Sequence, residues 1–253
     1  MTTTPTPLLV LVPTPREAAL LFERPAGSFG APETVRLAGV EVSVALCGLG
    51  LAAAGAAAAT WISKVAPRRI LLAGLCGTFD RRRLPIGGVL IAESVACDGI
   101  GADEGVRFAP FAEPQLAATL TRGGRPDAAP NQLPALDRII LAAPEITGAL
   151  RGALLSVAAS AGSPEMVATR RRRHPNALAE EMEGYAVALA ALLAGIPLTI
   201  VRGACNVAGD RDHRAWKIPE SLAAVRAALV TIVQSAVTTP DQDSGDSAPE
   251  PRP

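Results

Sequence analysis

The sequence predicts an α/β fold, a single three-layer domain in which helices flank a central twisted sheet that is mixed but largely parallel. Two observations favour this fold class. Short apolar runs typical of buried strands alternate with longer runs typical of helices, and the 253 residues, 49% of them hydrophobic, can bury one large core. We place the domain at residues 7–237, after a flexible N-terminus at 1–6 and before a polar, proline-rich tail at 238–253 that we expect to be disordered.

The first part of the chain shows strand and helix signals in alternation. Pro7–Val12 is short and apolar, as expected of a buried strand, and REAALLFE begins a helix that ends before Pro25. Alternating apolar and polar residues over Thr34–Gly48 predict a hairpin that turns at Gly39. The alanine-rich run that follows favours a helix, which Pro67 ends.

The middle of the chain contains further strand signals. Arg68–Gly74 predicts a buried strand that leads into a glycine-rich turn, GLCG, and GGVLIAESVACD predicts another strand. Arg107–Asp137 is rich in Pro, Gly and Ala and predicts a loop that holds one short helix at most. Gly148–Ser163 returns to a strand pattern.

The last part of the chain predicts a helix, a strand and a second helix. NALAEEMEGYAVALAALLAG is typical of a helix that ends at Gly195, IPLTIVRG of a strand, and PESLAAVRAALVTIVQSAV of an amphipathic helix. The basic run Thr169–Pro175 has no interleaved aromatic residues. It predicts a solvated loop or the lip of a site for an anionic ligand.

Composition and charge argue against several classes of function. Lys and Arg together number 24, as do Asp and Glu, so nothing favours a nucleic acid or an anionic membrane as the partner. No run approaches the roughly 18 apolar residues of a membrane span, and the N-terminus lacks the basic region of a signal peptide. The 4 cysteines lack CxxC spacing and the 2 histidines stand apart. We therefore expect a cytoplasmic protein with buried thiols, no metal and no cofactor.

Three acidic residues gather before a long apolar run: Glu180, Glu181 and Glu183. Acids in the first turn of a helix commonly just offset the helix dipole, and this stays open for Glu180 and Glu181. Glu183 precedes Gly184 and an apolar helix, so we expect its carboxylate to point inward, where it needs hydrogen-bond donors. Two vicinal sugar hydroxyls would supply them, with Met182 as an apolar floor under the sugar.

The stretch EEMEGYAVALAALLAGIPLTIVRGACNVAG resembles the C-terminal half of the nucleoside phosphorylase/nucleosidase superfamily. The resemblance extends to VPTPREAALL, CGLGLAAAGAAAAT and LLAGLCGTFD, and so covers roughly residues 8–237. RGACNVAGDRDHRAWKIPESL together with CDGIGADEGVRF is most similar to futalosine hydrolases of the alternative menaquinone pathway. The resemblance implies an enzyme that acts on a small nucleoside, assembles as a homodimer or larger homo-oligomer, and holds ribose through Glu181, Met182 and Glu183.

The resemblance also places a base-reading pair at Cys205 and Asn206, where relatives that cleave adenine nucleosides have Ser-Asp. An amide can donate to a carbonyl at purine position 6 and accept from N7–H, so Asn206 suits a 6-oxopurine such as hypoxanthine. A carboxylate would face the O6 lone pairs instead, and each buried polar group left unpaired costs about 1–3 kcal/mol. The structural alternative is that Asn206 only caps a turn.

The nucleophile is expected to be water. Phosphorylases of the superfamily hold phosphate through an Arg before the glycine-rich turn and a Ser within it, and here these positions are Leu72 and Leu75. Gly74 lets the backbone approach a ligand and Thr78 can hydrogen-bond one, so both are candidate binding residues. The resemblance implies that Glu17 is the general base, although a Glu in a first helical turn also suits the dipole.

The substrate implied by the resemblance is futalosine, whose hydrolysis releases hypoxanthine and dehypoxanthine futalosine. The carboxylated aromatic ring of futalosine requires a cation, for which Arg211 and Arg107 are candidates. Asn206 has no acidic proton for N7 of the departing base, so Asp210 and Asp212 are candidates for that proton.

Three other functions stay open at this point. A methylthioadenosine/S-adenosylhomocysteine nucleosidase is disfavoured by Asn206, and a purine nucleoside phosphorylase is disfavoured by Leu72 and Leu75. A catalytically silent nucleoside-binding protein is disfavoured because Glu17 and Glu183 are both present.

Overall fold

The computed structural model describes residues 7–24, 31–103, 108–110 and 138–238. Its strands are β1 Leu8–Val12, β2 Glu33–Leu37, β3 Val40–Leu46, β4 Arg69–Thr78, β5 Val89–Cys97, β6 Gly101–Asp103, β7 Phe108–Pro110, β8 Arg138–Ile140, β9 Ala149–Ser156, β10 Ala177–Glu181 and β11 Leu198–Val207. Its helices are α1 Pro15–Phe22, α2 Leu51–Val65, α3 Pro164–Arg173, α4 Gly184–Ala194 and α5 Ile218–Thr238. The N-terminus, most of Arg107–Asp137 and the tail lie outside the described residues, so what the sequence predicts for them stays a prediction.

The main sheet is mixed and contains 9 of the described strands, in the order β10-β9-β5-β11-β4-β1-β3-β2 with β8 beside β5. β1 pairs in parallel with β3 and β4, and β11 pairs in parallel with β4. β10 pairs in parallel with β9 and also antiparallel with β4, so β4, β11, β5, β9 and β10 close on one another. The predicted mixed sheet is confirmed, and the closure of its one end is an addition that the sequence pattern did not predict.

Helices cover both faces of the sheet, as predicted. In β1, Leu9 and Leu11 pack into the cluster that holds the buried side chains of α2 and α4. The alternate residues Leu8, Val10 and Val12 pack into a second cluster with α1 and α5. Because every residue of β1 is buried, its sequence is continuously apolar rather than alternating.

The predicted helix that ends at Gly195 is wrong in its first part. Ala177–Glu181 is the strand β10, and the helix α4 begins only at Gly184. Leu178 and the three residues after it are buried, and the backbone of β10 hydrogen-bonds β9 on one side and β4 on the other. This pairing outweighs the helix propensity of an Ala- and Glu-rich segment.

Two further sequence predictions need correction. The GLCG segment is the continuation of β4, which pairs with β11 as far as Thr78, so its glycines do not form a turn. The basic run Thr169–Pro175 is not a loop: its first five residues are the end of α3, which Ser163 caps through its hydroxyl. The Ser-Pro pair before this helix is the start signal that the sequence reading missed.

Candidate active site

A cavity of about 320 Å³ opens where β1, β4 and β11 end, at the edge of the sheet where ligands of α/β proteins bind. It brings together most of the side chains that the sequence analysis singled out: Glu17, Glu181, Met182, Glu183, Cys205, Asn206 and Arg211. The described residues that surround it come from α1, β4, β10, β11 and α5 and from the loops beside them, and the closure of the sheet brings β10 next to β4.

Glu17 faces the cavity from the first turn of α1 and is only 8% exposed. Its Oε2 accepts a hydrogen bond of 2.6 Å from the Thr14 hydroxyl, and its Oε1 accepts one of 3.2 Å from the Leu75 N–H. Burial raises the pKa of Glu17 above its ordinary value, and these hydrogen bonds together with the charge of Arg202 oppose that rise. A carboxylate with a raised pKa is suited to taking a proton near neutral pH.

Arg202 lies at the centre of the site, fully buried, although the sequence analysis did not select it. Its Nη2 donates to Glu181 Oε2 and, over 3.1 Å, to Glu183 Oε2. Burial alone would lower the pKa of Arg202, but Glu181, Glu183 and Glu17 raise it, so the guanidinium stays charged. Its Nε and Nη1 have no hydrogen-bond partner among the described residues, so both can donate to a buried water molecule, although Arg202 itself does not line the cavity.

Gly74 makes this arrangement possible. A Cβ at that position would clash with Arg202 Nη1 and stand 3.0 Å from Glu17 Oε1, so any side chain would push the guanidinium and the carboxylate away. Gly74 itself does not line the cavity. The predicted binding role of Thr78 also lacks support in the geometry, because Thr78 is fully buried and its hydroxyl accepts the Asp80 N–H at 3.2 Å.

Glu181 is a supporting residue rather than a free binding group. Its Oε2 accepts the backbone N–H groups of Glu183 and Gly184 at 3.0 and 2.8 Å, and its Oε1 accepts the Ser156 hydroxyl. Ser156 in turn accepts the Tyr185 N–H at 2.8 Å. Glu181 therefore holds the start of α4 and the guanidinium of Arg202 in place.

Glu183 lies at the cap position of α4 and lines the cavity. Its Oε1 accepts the Gly50 N–H at 3.1 Å, so the first glycine-rich segment supports this carboxylate. Burial raises the pKa of Glu183 to about 7, against the lowering effect of Arg202, and repulsion by the negative charge of the neighbouring Glu181 adds to the rise. Met182 lies beside it on the cavity wall.

Cys205 and Asn206 line the other side of the cavity from the end of β11. Burial raises the pKa of the Cys205 thiol to about 12, so it is a neutral group, and its sulfur lies 3.3 Å from Asn206 Oδ1. The Asn206 amide nitrogen donates to the Val207 carbonyl at 2.8 Å and lies 3.5 Å from the Asp210 carbonyl. Both amide N–H groups therefore face backbone carbonyls, the second over a long contact, and donation to a ligand would require the side chain to rotate away from the Asp210 carbonyl.

The outer rim of the cavity is aromatic and basic. Arg211 donates to the Ser160 hydroxyl at 2.9 Å and lies 5.7 Å from the ring centroid of Trp216. His213 stacks on Trp216 with 4.3 Å between ring centroids, and the buried Trp216 Nε1 has no partner among the described residues. Arg16 lines the same rim from α1. Arg107, the other candidate for a substrate carboxylate, lies outside the described residues.

Asp210 and Asp212 do not line the cavity. Asp210 Oδ1 accepts the Asp212 N–H at 2.9 Å, and Asp212 Oδ1 accepts the Arg214 N–H at 3.2 Å. Both carboxylates therefore stabilise the backbone of their own turn. Within the described part of the chain, no group of three or more His, Cys, Asp or Glu side chains is placed to hold a metal ion. The helices of that part are also all too short or too polar to cross a membrane.

Arg202 and Trp216 are the site residues that sequence reasoning missed. An Arg directly after the largely apolar run IPLTIV is a signal in itself, because a buried guanidinium requires buried acids, and Glu181 and Glu183 are acids close by in the sequence. For Trp216 the signal is weaker. It follows a charged loop and is one of only 2 tryptophans, but nothing in the spacing says that it turns back to the cavity.

Comparison with known proteins gives consistent matches. A sequence model of the Phosphorylase superfamily matches residues 7–238. The chain is 34% identical over 160 residues to a futalosine hydrolase of Streptomyces coelicolor, and it spans about 63% of the length of that relative. It is 33% identical over 189 residues to a futalosine hydrolase of Thermus thermophilus, which covers 72% of this chain and 76% of that protein.

A solved structure shares the fold at low sequence identity. It is a 5′-methylthioadenosine/S-adenosylhomocysteine nucleosidase of Colwellia psychrerythraea in complex with adenine. The TM-score is 0.68 at 19% identity, over 91% of this chain and 96% of that chain. At this identity the likeness establishes the fold and nothing about the substrate.

Proposed function

The chain belongs to the phosphorylase superfamily, and from that premise we propose that it hydrolyses the N-glycosidic bond of futalosine, releasing hypoxanthine and dehypoxanthine futalosine. The observation that carries the proposal is that a buried carboxylate, Glu17, and an amide, Asn206, face one cavity. The first is suited to activating water and the second to holding a 6-oxopurine. Similarity to futalosine hydrolases adds support from the sequence.

The ribose would lie between these two groups, on Glu183 and Met182. A carboxylate can accept from both vicinal hydroxyls of the sugar, and Glu183 is held in position by Gly50 and Arg202. Because this contact is present in the bound substrate and persists as the sugar becomes cationic, it contributes to both binding and turnover.

Glu183→Gln should therefore raise the Kd for the nucleoside about tenfold and lower kcat/KM by about ten- to a hundredfold, since one accepting oxygen and its charge are lost. Binding is measured by calorimetry and turnover by release of the base. The 2′,3′-dideoxy substrate analogue is the control. The unmodified enzyme should bind the parent nucleoside more tightly than this analogue, and in the variant that difference in Kd should be much smaller. Equal binding of parent and dideoxy analogue by the unmodified enzyme would contradict the role of Glu183.

The nucleophilic water would sit between Glu17 and Arg202. Arg202 Nη1 is buried and unpaired, and Glu17 Oε1 lies on the same side of Gly74. Arg202 can donate to the water oxygen, while Glu17 accepts one of its protons. The two groups together orient the water, and Arg202 favours the ionised form of Glu17.

At the sugar carbon C1′ the reaction breaks one bond and forms one, and two proton transfers, from water to Glu17 and from solvent to N7, accompany them. The bond from C1′ to the base breaks with both electrons going to the purine, and the ribose develops the charge of an oxocarbenium ion. The water oxygen bonds to C1′ as Glu17 takes a proton. Asn206 Oδ1 accepts from N7–H of the departing base, whose proton comes from solvent, because the carboxylates of Asp210 and Asp212 are engaged in their own turn.

Local charge favours water over phosphate as the nucleophile. Around the guanidinium of Arg202 the described part of the chain places three carboxylates, those of Glu17, Glu181 and Glu183. Leu72 is buried and Leu75 presents an apolar side chain to the cavity where an anion would need a donor. A phosphate dianion would be repelled here rather than held.

Turnover should therefore be independent of phosphate, and the sugar product should be the free sugar. The test incubates the protein with futalosine, inosine and methylthioadenosine, each with and without phosphate, and identifies base and sugar by mass spectrometry. Futalosine is expected to react fastest and to release hypoxanthine. A sugar 1-phosphate, or a rate that rises with phosphate, would contradict hydrolysis.

The aromatic carboxylate of futalosine would lie at the outer rim. Trp216 offers a ring face and an unpaired Nε1, while Arg211 and Arg16 supply positive charge. Arg is suited to binding a carboxylate through two parallel hydrogen bonds. This end of the cavity therefore favours a large acidic substituent over a small thioether.

We also propose that the enzyme works in the cytoplasm as a homo-oligomer. Leu49 lines the cavity and is 64% exposed, so its apolar side chain is available for contact with a second copy of the chain. A second copy of the chain would cover it and narrow the entrance.

A further inference from the structure

We infer that Glu180 is a specificity-determining residue that accepts the N1–H of the purine base, opposite Asn206. The inference rests on the proposed function, since it assumes that the base lies in this cavity against Asn206. From the sequence alone it stayed open whether Glu180 only offsets a helix dipole, but Glu180 is in the strand β10 and lines the cavity.

The register of three adjacent strands places Glu180 and Asn206 at the same height. Gly77 of β4 pairs with Glu180 on one side and with Asn206 on the other. Residues directly opposite each other in a sheet project to the same face, so both side chains rise on either side of Gly77. Two strand spacings of about 4.8 Å separate their backbones, enough for a purine edge with a hydrogen bond at each end.

Gly77 lines the cavity between them, at a position where a side chain would be crowded. A Cβ there would come within 3.4 Å of Asn206 Oδ1 and within 3.3 Å of the Ala208 backbone. With no side chain at this position, a flat base can lie across β4 and reach both neighbouring strands.

Glu180 is held in place as a hydrogen-bond acceptor. Its Oε2 accepts from Arg170 Nη1 at 2.6 Å, and its Oε1 accepts the Ala161 N–H at 2.7 Å. Arg170 is itself fixed by the Ala159 carbonyl at 2.5 Å and by Asp98 at 3.4 Å. Each carboxylate oxygen can accept two hydrogen bonds, so Oε1 retains a lone pair for a ligand in the cavity.

The chemistry of this acceptor selects the same base as Asn206. A 6-oxopurine carries a hydrogen on N1, next to O6, whereas N1 of a 6-aminopurine is an acceptor. The Glu180 carboxylate would bond the first and repel the second. The Ala161 N–H, which could have donated to the N1 of a 6-aminopurine, is already taken by Glu180. The 6-oxo preference is therefore set on two sides of the base.

A purely structural role for Glu180, as the partner of Arg170, predicts a different outcome. In that case the loss of the charge would lower stability and lower activity on every nucleoside by the same factor. The ratio of activities on 6-oxo and 6-amino substrates separates the two roles, because effects on folding and on the sugar site cancel in it.

The test compares the unmodified enzyme, Glu180→Gln and the control Glu165→Gln, an exposed acid on α3, after thermal unfolding has established that each is folded. Substrates are the 6-oxo and 6-amino forms of one nucleoside. Glu180→Gln should lower the kcat/KM ratio of 6-oxo to 6-amino by about ten- to a hundredfold, the range for a hydrogen bond to a charged group. Glu165→Gln should leave the ratio unchanged.

A second measurement tests the inference first in the unmodified enzyme, so that it stands even if the variant does not fold. The unmodified enzyme should bind hypoxanthine at least about tenfold more tightly than 1-methylhypoxanthine, which lacks the N1 donor, and Glu180→Gln should discriminate less. Equal binding of these two bases by the unmodified enzyme, or an unchanged substrate ratio in a folded Glu180→Gln, overturns the inference. If no 6-oxopurine nucleoside is hydrolysed at all, it is the proposed function that fails.

Discussion

Replacing Glu17 with glutamine should lower kcat for futalosine by about a hundred- to ten-thousandfold and leave the Kd for the nucleoside nearly unchanged. The amide keeps the shape of the side chain and can still accept the Leu75 N–H, but it cannot take a proton from water. Single-turnover rates and calorimetric binding to the same preparation measure the two quantities. A near-normal rate in a folded Glu17→Gln would remove Glu17 from the mechanism.

The pH dependence should identify the same group. Burial raises the pKa of Glu17, and the base works only when ionised, so kcat should rise with pH through that raised pKa and then level off. Glu183 has a pKa of about 7 and is also needed ionised, so it contributes to the same limb. In Glu183→Gln the rise of kcat with pH should persist, because Glu17 alone then determines it. In Glu17→Gln the low residual rate should no longer depend on the ionisation of Glu17.

A matched control for Glu17→Gln is available at the other end of α1. Glu23 pairs with Arg226 on the surface at 2.9 Å, and exposed ion pairs contribute little to stability. Glu23→Gln should match the unmodified enzyme in rate and in pH profile. A loss of rate in both variants would point to a disturbed helix rather than to a lost base.

The sequence predicted the parts of the fold that depend on local pattern. The β1 strand, the hairpin at Thr34–Gly48 and the final helix follow from apolar runs, alternation and amphipathic periodicity, and the structure confirms them. The position of Glu17 just after the first strand also follows from local pattern, because a proline and a capping Thr14 begin a helix there.

Long-range pairing explains what the sequence could not predict. Ala177–Glu181 has the composition of a helix and becomes a strand only because β9 and β4 lie on either side of it. The same pairing places Glu180 in the wall of the cavity, whereas a helix at this position would have left it near the positive end of a helix dipole. The role of Gly74 likewise depends on Arg202, which is 128 positions away along the chain and becomes its neighbour only through the pairing of β4 with β11.

Asn206→Asp should change the choice of base. A carboxylate cannot donate to O6 of hypoxanthine and would repel it, whereas it can accept from the amino group of adenine and can share a proton with N7. The ratio of kcat/KM for the 6-oxo and 6-amino forms of one nucleoside should fall by about a hundredfold or more, because a site built to pair a polar group rejects the mismatch strongly. Most of the fall comes from lost activity on the 6-oxo substrate.

The fold of the variant is the main concern in this test. The Asn206 amide also donates to the Val207 carbonyl, and an aspartate would lose that bond. Thermal unfolding therefore accompanies the kinetics, and Asn176→Asp, on the exposed segment before β10, is the matched control that should leave the ratio unchanged. Adding Cys205→Ser should move the ratio further in the same direction, since it completes the Ser-Asp pair of the adenine-specific relatives.

Asn206 and Glu180 make separable contributions to this preference. Asn206→Asp replaces the group that faces O6 and N7, whereas Glu180 would continue to repel N1 of a 6-aminopurine. The single variant should therefore lose the 6-oxo substrate without becoming a good 6-amino enzyme, and Glu180→Gln combined with Asn206→Asp should gain most on the 6-amino form. An unchanged ratio in a folded Asn206→Asp would mean that another group reads the base, and the assignment of Asn206 would be wrong.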